Sequence, residues 1–177
     1  LTRRGEPPPP TSEPMAIRTL FNMAPGAVVA VFLAGLINSG TMALLPIYAG
    51  VALPDAAGGA TGAAALAAAA AWTGGLISQW PAGRFSDHLD RRLVIAVMAG
   101  IAGFAALVLG LFPGLPTTWI LIALGVWGAG SLSFYGIGVA HAIDRSDSSQ
   151  ISRVMSGLLF VWAVGSVVGP PLSGLAF

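Results

Sequence analysis

Three stretches of this chain, Thr19 to Pro54, Ala56 to Gly83 and Leu93 to Ile143, contain no Asp, Glu, Lys or Arg. A buried element of a water-soluble domain needs far shorter runs. The remaining residues cannot cover such stretches with a polar surface, because 55% of the chain is hydrophobic, only 8% is charged, and the mean hydropathy is +0.82. A bilayer core about 30 Å thick takes roughly 20 predominantly apolar residues per helix. The intervals must therefore be divided at their turn signals. Five membrane-spanning helices result, over about 24–49, 61–80, 93–111, 119–140 and 154–177. The fold class is all-α, a polytopic membrane protein.

Local chemistry sets the divisions. Pro54, Asp55, Gly58 and Gly59 form the loop after the first span. The second span is alanine from Ala63 to Ala71 apart from Leu66. Alanine is weakly apolar, so a low-complexity linker competes with a helix there, but it has the best helix propensity and lets neighbouring helices approach closely. Pro81 is expected to end this span, because its ring disfavours a continuing helix. Phe112 to Thr118, FPGLPTT, makes a tight turn. At the amino end, Pro7 to Pro10 favour an extended, solvated segment. Residues 1–20 therefore read as a Pro-rich linker and 21–177 as the helical bundle. The fifth span runs into the end of the chain, which points to truncation.

Orientation follows from the arginines. All eight basic residues are arginine, and five spans place them in alternate loops: Arg3, Arg4 and Arg18, then Arg84, Arg91 and Arg92, then Arg145 and Arg153. The opposite loops carry Asp55 and no basic residue. The positive-inside rule puts the amino terminus in the cytoplasm of a cell whose inner (plasma) membrane holds the protein. Dispersed arginines with a net charge of +1 make no stripe for nucleic acid. Without cysteine there is no disulfide framework or thiolate metal site, and no metal or cofactor is expected.

The charged segment PAGRFSDHLDRR, Pro81 to Arg92, keeps the spacing Gly-x-x-x-Asp-x-x-x-Arg-Arg at Gly83, Asp87, Arg91 and Arg92, in the loop after an even-numbered helix. This resembles the signature loop of the major facilitator superfamily. Asp90 stands where that family usually has glycine, and His88 where it usually has Arg or Lys. GSVVGPPLSG, Gly165 to Gly174, is similar to the Gly-x-x-x-Gly-Pro pattern of the family's fifth helix or its counterpart, the eleventh. The resemblance implies five helices of a six-helix repeat. The Pro-rich segment looks like the central loop between the two halves, so the expected identity is helices seven to eleven, with an amino-terminal half and helix twelve missing. The wording of the loop is most like that of bacterial sugar and drug-efflux permeases.

The resemblance also implies a function, a secondary carrier that moves small molecules by alternating access. Asp87, with Asp90, Arg91 and Arg92, is expected to form a gating latch whose contacts change between two packings of the bundles. Gly165, Gly169, Pro170 and Gly174 are expected to pack the fifth span closely and bend it. The first and fourth helices of each family repeat line the central cavity. That makes Asn38, Thr41 and Tyr135 the cavity candidates, among Ser39, Ser131 and Ser133. No carboxylate lies inside a span, so if protons are the coupling ion, the titrating group belongs to the missing half. Other partners are the solute and the bilayer. A membrane-embedded enzyme and a nontransporting scaffold are the alternatives. The enzyme lacks a visible His-Glu-x-x-His motif or an activated nucleophile.

Overall fold

The computed structural model describes residues 15–175. After a short helix α1 (Ile17–Met23), five spans follow: α2 (Pro25–Ala52), α3 (Gly59–His88), α4 (Arg91–Leu111), a fourth span made of α5 (Thr117–Ser131) and α6 (Phe134–Ile143), and α7 (Ile151–Gly174). The shortest, α4, has 21 residues, and at 1.5 Å per residue it reaches about 32 Å, enough to cross the hydrocarbon core. The alanine-rich segment is helical throughout, with Ala63, Ala67 and Ala71 buried at four-residue intervals. Leu76, Trp80, Phe104, Leu107 and Leu111 point outward, as apolar side chains do when the solvent is lipid.

The fourth span sits at the centre. In its most apolar window 56% of residues are buried, against 22% for α3 and for α4. Its α5 part packs along both α3 and α4, while α2 runs beside α7. Glycines make these approaches close. A methyl group added at Gly165 or Gly169 would collide with the backbone carbonyls of Phe32 or Leu36, and one at Gly35 with that of Trp162. The same holds between Gly128 and the Ala71 carbonyl. Helices whose backbones touch gain dispersion contacts that lipid tails cannot match.

Several sequence expectations are revised. Pro81 does not end α3, which continues to His88. A proline removes one amide donor, and membrane helices absorb that loss through neighbouring polar groups and small local adjustments. Most of the charged segment is thus helix, with only Leu89 and Asp90 between α3 and α4. The fourth span is interrupted at Leu132 and Ser133 instead of running continuously. Residues 17–20, read as linker, belong to α1; Leu20 is fully buried against Gly157 of α7, which holds this turn in place. The Pro-rich stretch up to Pro14 lies outside the described residues.

At Gly174, expected in the packing motif, nothing among the described residues lies within 4 Å of a methyl group built there. It is nine residues beyond Gly165, a rotation that leaves it about 180° around the helix.

Candidate functional site

Two features converge on the fourth span. The first is a charged cluster at one end of the bundle, where α3 gives way to α4 and α6 ends. Arg91 is its hub, and its side chain is only 16% exposed. Its Nε donates to Asp144 Oδ2 at 2.5 Å and its Nη2 to Asp144 Oδ1 at 3.3 Å, while Nη1 donates to Ser86 Oγ at 2.9 Å. Nη2 also pairs with Asp87 Oδ1 at 3.4 Å, across the junction from the end of α3. The planar fork of a guanidinium fits a carboxylate in this two-pronged way. These bonds join three helices at one point.

The other charged residues of the segment have different roles. Asp90 Oδ1 accepts the Arg92 backbone N–H at 2.8 Å and so caps α4. An Asp in the position of the family's glycine therefore closes a helix end in place of freeing the backbone. Gly83 faces open space, on the wall of a groove. Arg92 is exposed, with its Nε near the start of α2 at Gly26. Beside Arg92 is His141, which is buried and has the Arg145 guanidinium against its Nε2. Arginine offers no acceptor, so in this contact the guanidinium donates and Nε2 accepts.

The second feature is an open-sided cavity of about 430 Å³ midway along the spans, lined by Asn38, Ser39, Met42, Trp72, Leu132, Tyr135, Leu159 and Trp162. Tyr135 and Trp162 meet edge to face, with centroids 6.3 Å apart and planes at 72°. Two of the three cavity candidates, Asn38 and Tyr135, share this wall. Thr41 is half-buried and does not line it. On a helix the face of Asn38 returns four residues later, so Met42 takes the place expected for Thr41.

The interruption of the fourth span borders this cavity and explains its shape. Ser78 Oγ of α3 donates to the Ala129 carbonyl at 2.8 Å, and Ser133 Oγ donates to the same oxygen at 3.0 Å. The two hydroxyls lie 3.1 Å apart. Asn38 Nδ2 of α2 donates to the Ser131 carbonyl at 3.4 Å. Side-chain donors thus reach backbone carbonyls where the helix is interrupted. A second cavity, of about 360 Å³, begins at Leu132, Ser133 and Tyr135 and ends at Ser86, Asp87 and Arg91. Leu132 and Tyr135 belong to both. The wall therefore runs continuously from mid-span to the charged cluster.

Comparison with known proteins agrees with this architecture. The sequence model of the Major Facilitator Superfamily matches residues 27–177. The chain belongs to the major facilitator superfamily. As a member of that superfamily it is a multi-pass membrane protein. Among relatives, the uncharacterized MFS-type transporter YcaD of Shigella flexneri serotype 5b (strain 8401) is 30% identical over 101 residues, 57% of this chain and 25% of that protein. The uncharacterized MFS-type transporter Ent638_1421 of Enterobacter sp. (strain 638) is 27% identical over the same length and shares. The aligned region thus spans about a quarter of these relatives. No solved structure matches the chain.

Two residues of this superfamily member escaped the sequence reading. Asp144 is the main partner of Arg91, and its only signal was a carboxylate directly after a long uncharged stretch. Ser78 looked like any serine in an apolar helix. Its role depends on a carbonyl 51 residues away in the chain.

Proposed function

We propose that this chain is part of a secondary carrier that moves a small solute across the cell's inner membrane by alternating access. It forms helices seven to eleven, with the amino terminus cytoplasmic, and works against an amino-terminal half of six helices. Family membership supports transport over the enzyme and scaffold readings. The observation that carries the mechanism is Arg91, which ties the ends of α3, α4 and the fourth span together beside an open-sided cavity. Its exposed partners, Asp87 and Asp144, are well placed to exchange contacts when the bundle moves against another half. The cluster then serves as the cytoplasmic latch, and Asn38 and Tyr135 serve as part of the solute's seat. Proton coupling, in this reading, depends on a carboxylate of the other half.

The test uses the carrier encoded by the complete reading frame. With any cysteine outside this cysteine-free chain replaced by serine, a cysteine introduced at Ser39 reports access to the cavity through labelling by an impermeant maleimide in oriented vesicles. The pair is half exposed, which limits its worth to about 1 kcal/mol, or about fivefold in the ratio of two states. Asp87→Asn and Asp144→Asn should each raise labelling from the cytoplasmic side by up to that factor. Flux of a panel of sugars and amphiphilic aromatic solutes in proteoliposomes gives the second readout. Unchanged labelling and unchanged flux in both variants would sink the latch.

A further inference from the structure

The wall of the mid-span cavity is aromatic and carries no formal charge. Trp72 comes from α3, Tyr135 from α6 and Trp162 from α7; Met42, Leu132 and Leu159 fill the spaces between them. At about 430 Å³ the cavity falls within the roughly 300–1,000 Å³ of small-molecule sites. Its polar groups are the Asn38 amide, the hydroxyls of Ser39 and Tyr135, and the indole N–H groups of Trp72 and Trp162. The nearest ionised side chains on the connected wall, Asp87 and Arg91, are at the far end of the second cavity and bonded to each other. An ion seated against this wall loses its hydration and gains no countercharge. A neutral aromatic ring loses little and stacks in the corner that the perpendicular Tyr135 and Trp162 rings make.

Asn38 adds a polar preference. Its Nδ2 is fixed by the Ser131 carbonyl, and the reversed amide would set two carbonyl oxygens against each other. Oδ1 is therefore the outstanding acceptor, buried and without a hydrogen-bond partner. Oδ1 has no accessible surface in this packing, so a solute donor meets it when the Asn38 side chain turns it toward the cavity that the residue lines, which removes the cost of leaving it unpaired.

We infer that the part of the solute seated on this chain is uncharged, contains an aromatic ring, and presents one neutral hydrogen-bond donor to Asn38. This deepens the carrier reading and rests on it. The solute class differs from sugars and from organic ions.

Four probes with one ring system test it: 1-naphthol, 1-methoxynaphthalene, 1-naphthoate and 1-naphthylmethylammonium. Binding to the carrier from the complete reading frame is measured in nanodiscs by equilibrium dialysis, with empty nanodiscs correcting for partition into lipid. 1-Naphthol should bind tightest, with 1-methoxynaphthalene and both ions about tenfold weaker. Asn38→Leu should lower 1-naphthol to the level of 1-methoxynaphthalene and leave the latter unchanged. Trp72→Ala, at a ring that is 52% exposed and so tolerant of truncation, should weaken 1-naphthol about fivefold. Trp162→Phe, which keeps a ring, should weaken it less. Either ion binding as tightly as 1-naphthol overturns the inference, as does 1-naphthol binding that ignores both Trp72→Ala and Asn38→Leu. If 1-naphthol binds as expected but no probe crosses proteoliposomes, the carrier reading fails and the cavity's preference stands. If sugars or ions cross and 1-naphthol does not bind, the carrier stands and the inference fails.

Discussion

Arg91 spends its donors on three side chains, Asp144, Asp87 and Ser86, and only the guanidinium fork reaches all of them. Lysine at this position keeps the charge but not the geometry. Arg91→Lys is expected to lower stability by about 1 kcal/mol, visible as a lower midpoint in thermal unfolding of the detergent-solubilised carrier. Arg91→Ala combined with Asp144→Ala should cost less than the sum of the single changes, because each single variant leaves the other partner unpaired. Additive costs would mean the pair is not coupled. The two halves of this pair were unequally visible in the sequence. Arg91 stood in a motif whose spacing identified it, whereas Asp144 is 53 residues away and became a partner only through the path of the fourth span. Asn38 drew notice because an amide inside a bilayer needs partners, and it lines the mid-span cavity, whose next position on α2 is Met42 and not Thr41.

At the scale of the elements, α2 and α7 touch through backbone. Gly165→Val pushes a branched side chain into the Phe32 carbonyl and should destabilise the carrier by about 2 kcal/mol. Gly174→Ala, in open space, should be neutral or gain a few tenths up to about 1 kcal/mol from helix propensity. Fluorescence-detected size-exclusion chromatography after a heat series separates these outcomes. At the interruption of the fourth span two hydroxyls share the Ala129 carbonyl. If they hold α5 and α6 apart, Ser78→Ala with Ser133→Ala should join them into one helix and change the distance between spin labels at Thr118 and Ile143; an unchanged distance would assign the interruption to another cause. The number and order of spans could be read from uncharged intervals and arginine positions. The helical course through Pro81 and the interruption at Leu132 could not, because both depend on which neighbour supplies or removes a hydrogen bond.

For the whole molecule, the ionised groups of the described residues, apart from Asp55, gather at one end. The bundle is tied by charge there and by glycine packing along its length. The central position of the fourth span also has a consequence for how the protein is made. Of the five spans α3 has the lowest mean hydropathy, and its inward face is Ala63, Ala67, Ala71 and Gly75, shaped to receive α5. Ribosomes release α3 before α5 exists. A helix so poor in lipid affinity, still without its mate, is expected to linger at the translocon until the fourth span arrives. Nascent chains stopped before Thr117 should therefore leave α3 incompletely inserted when glycosylation sites map its ends, and chains extended past Ile143 should restore it.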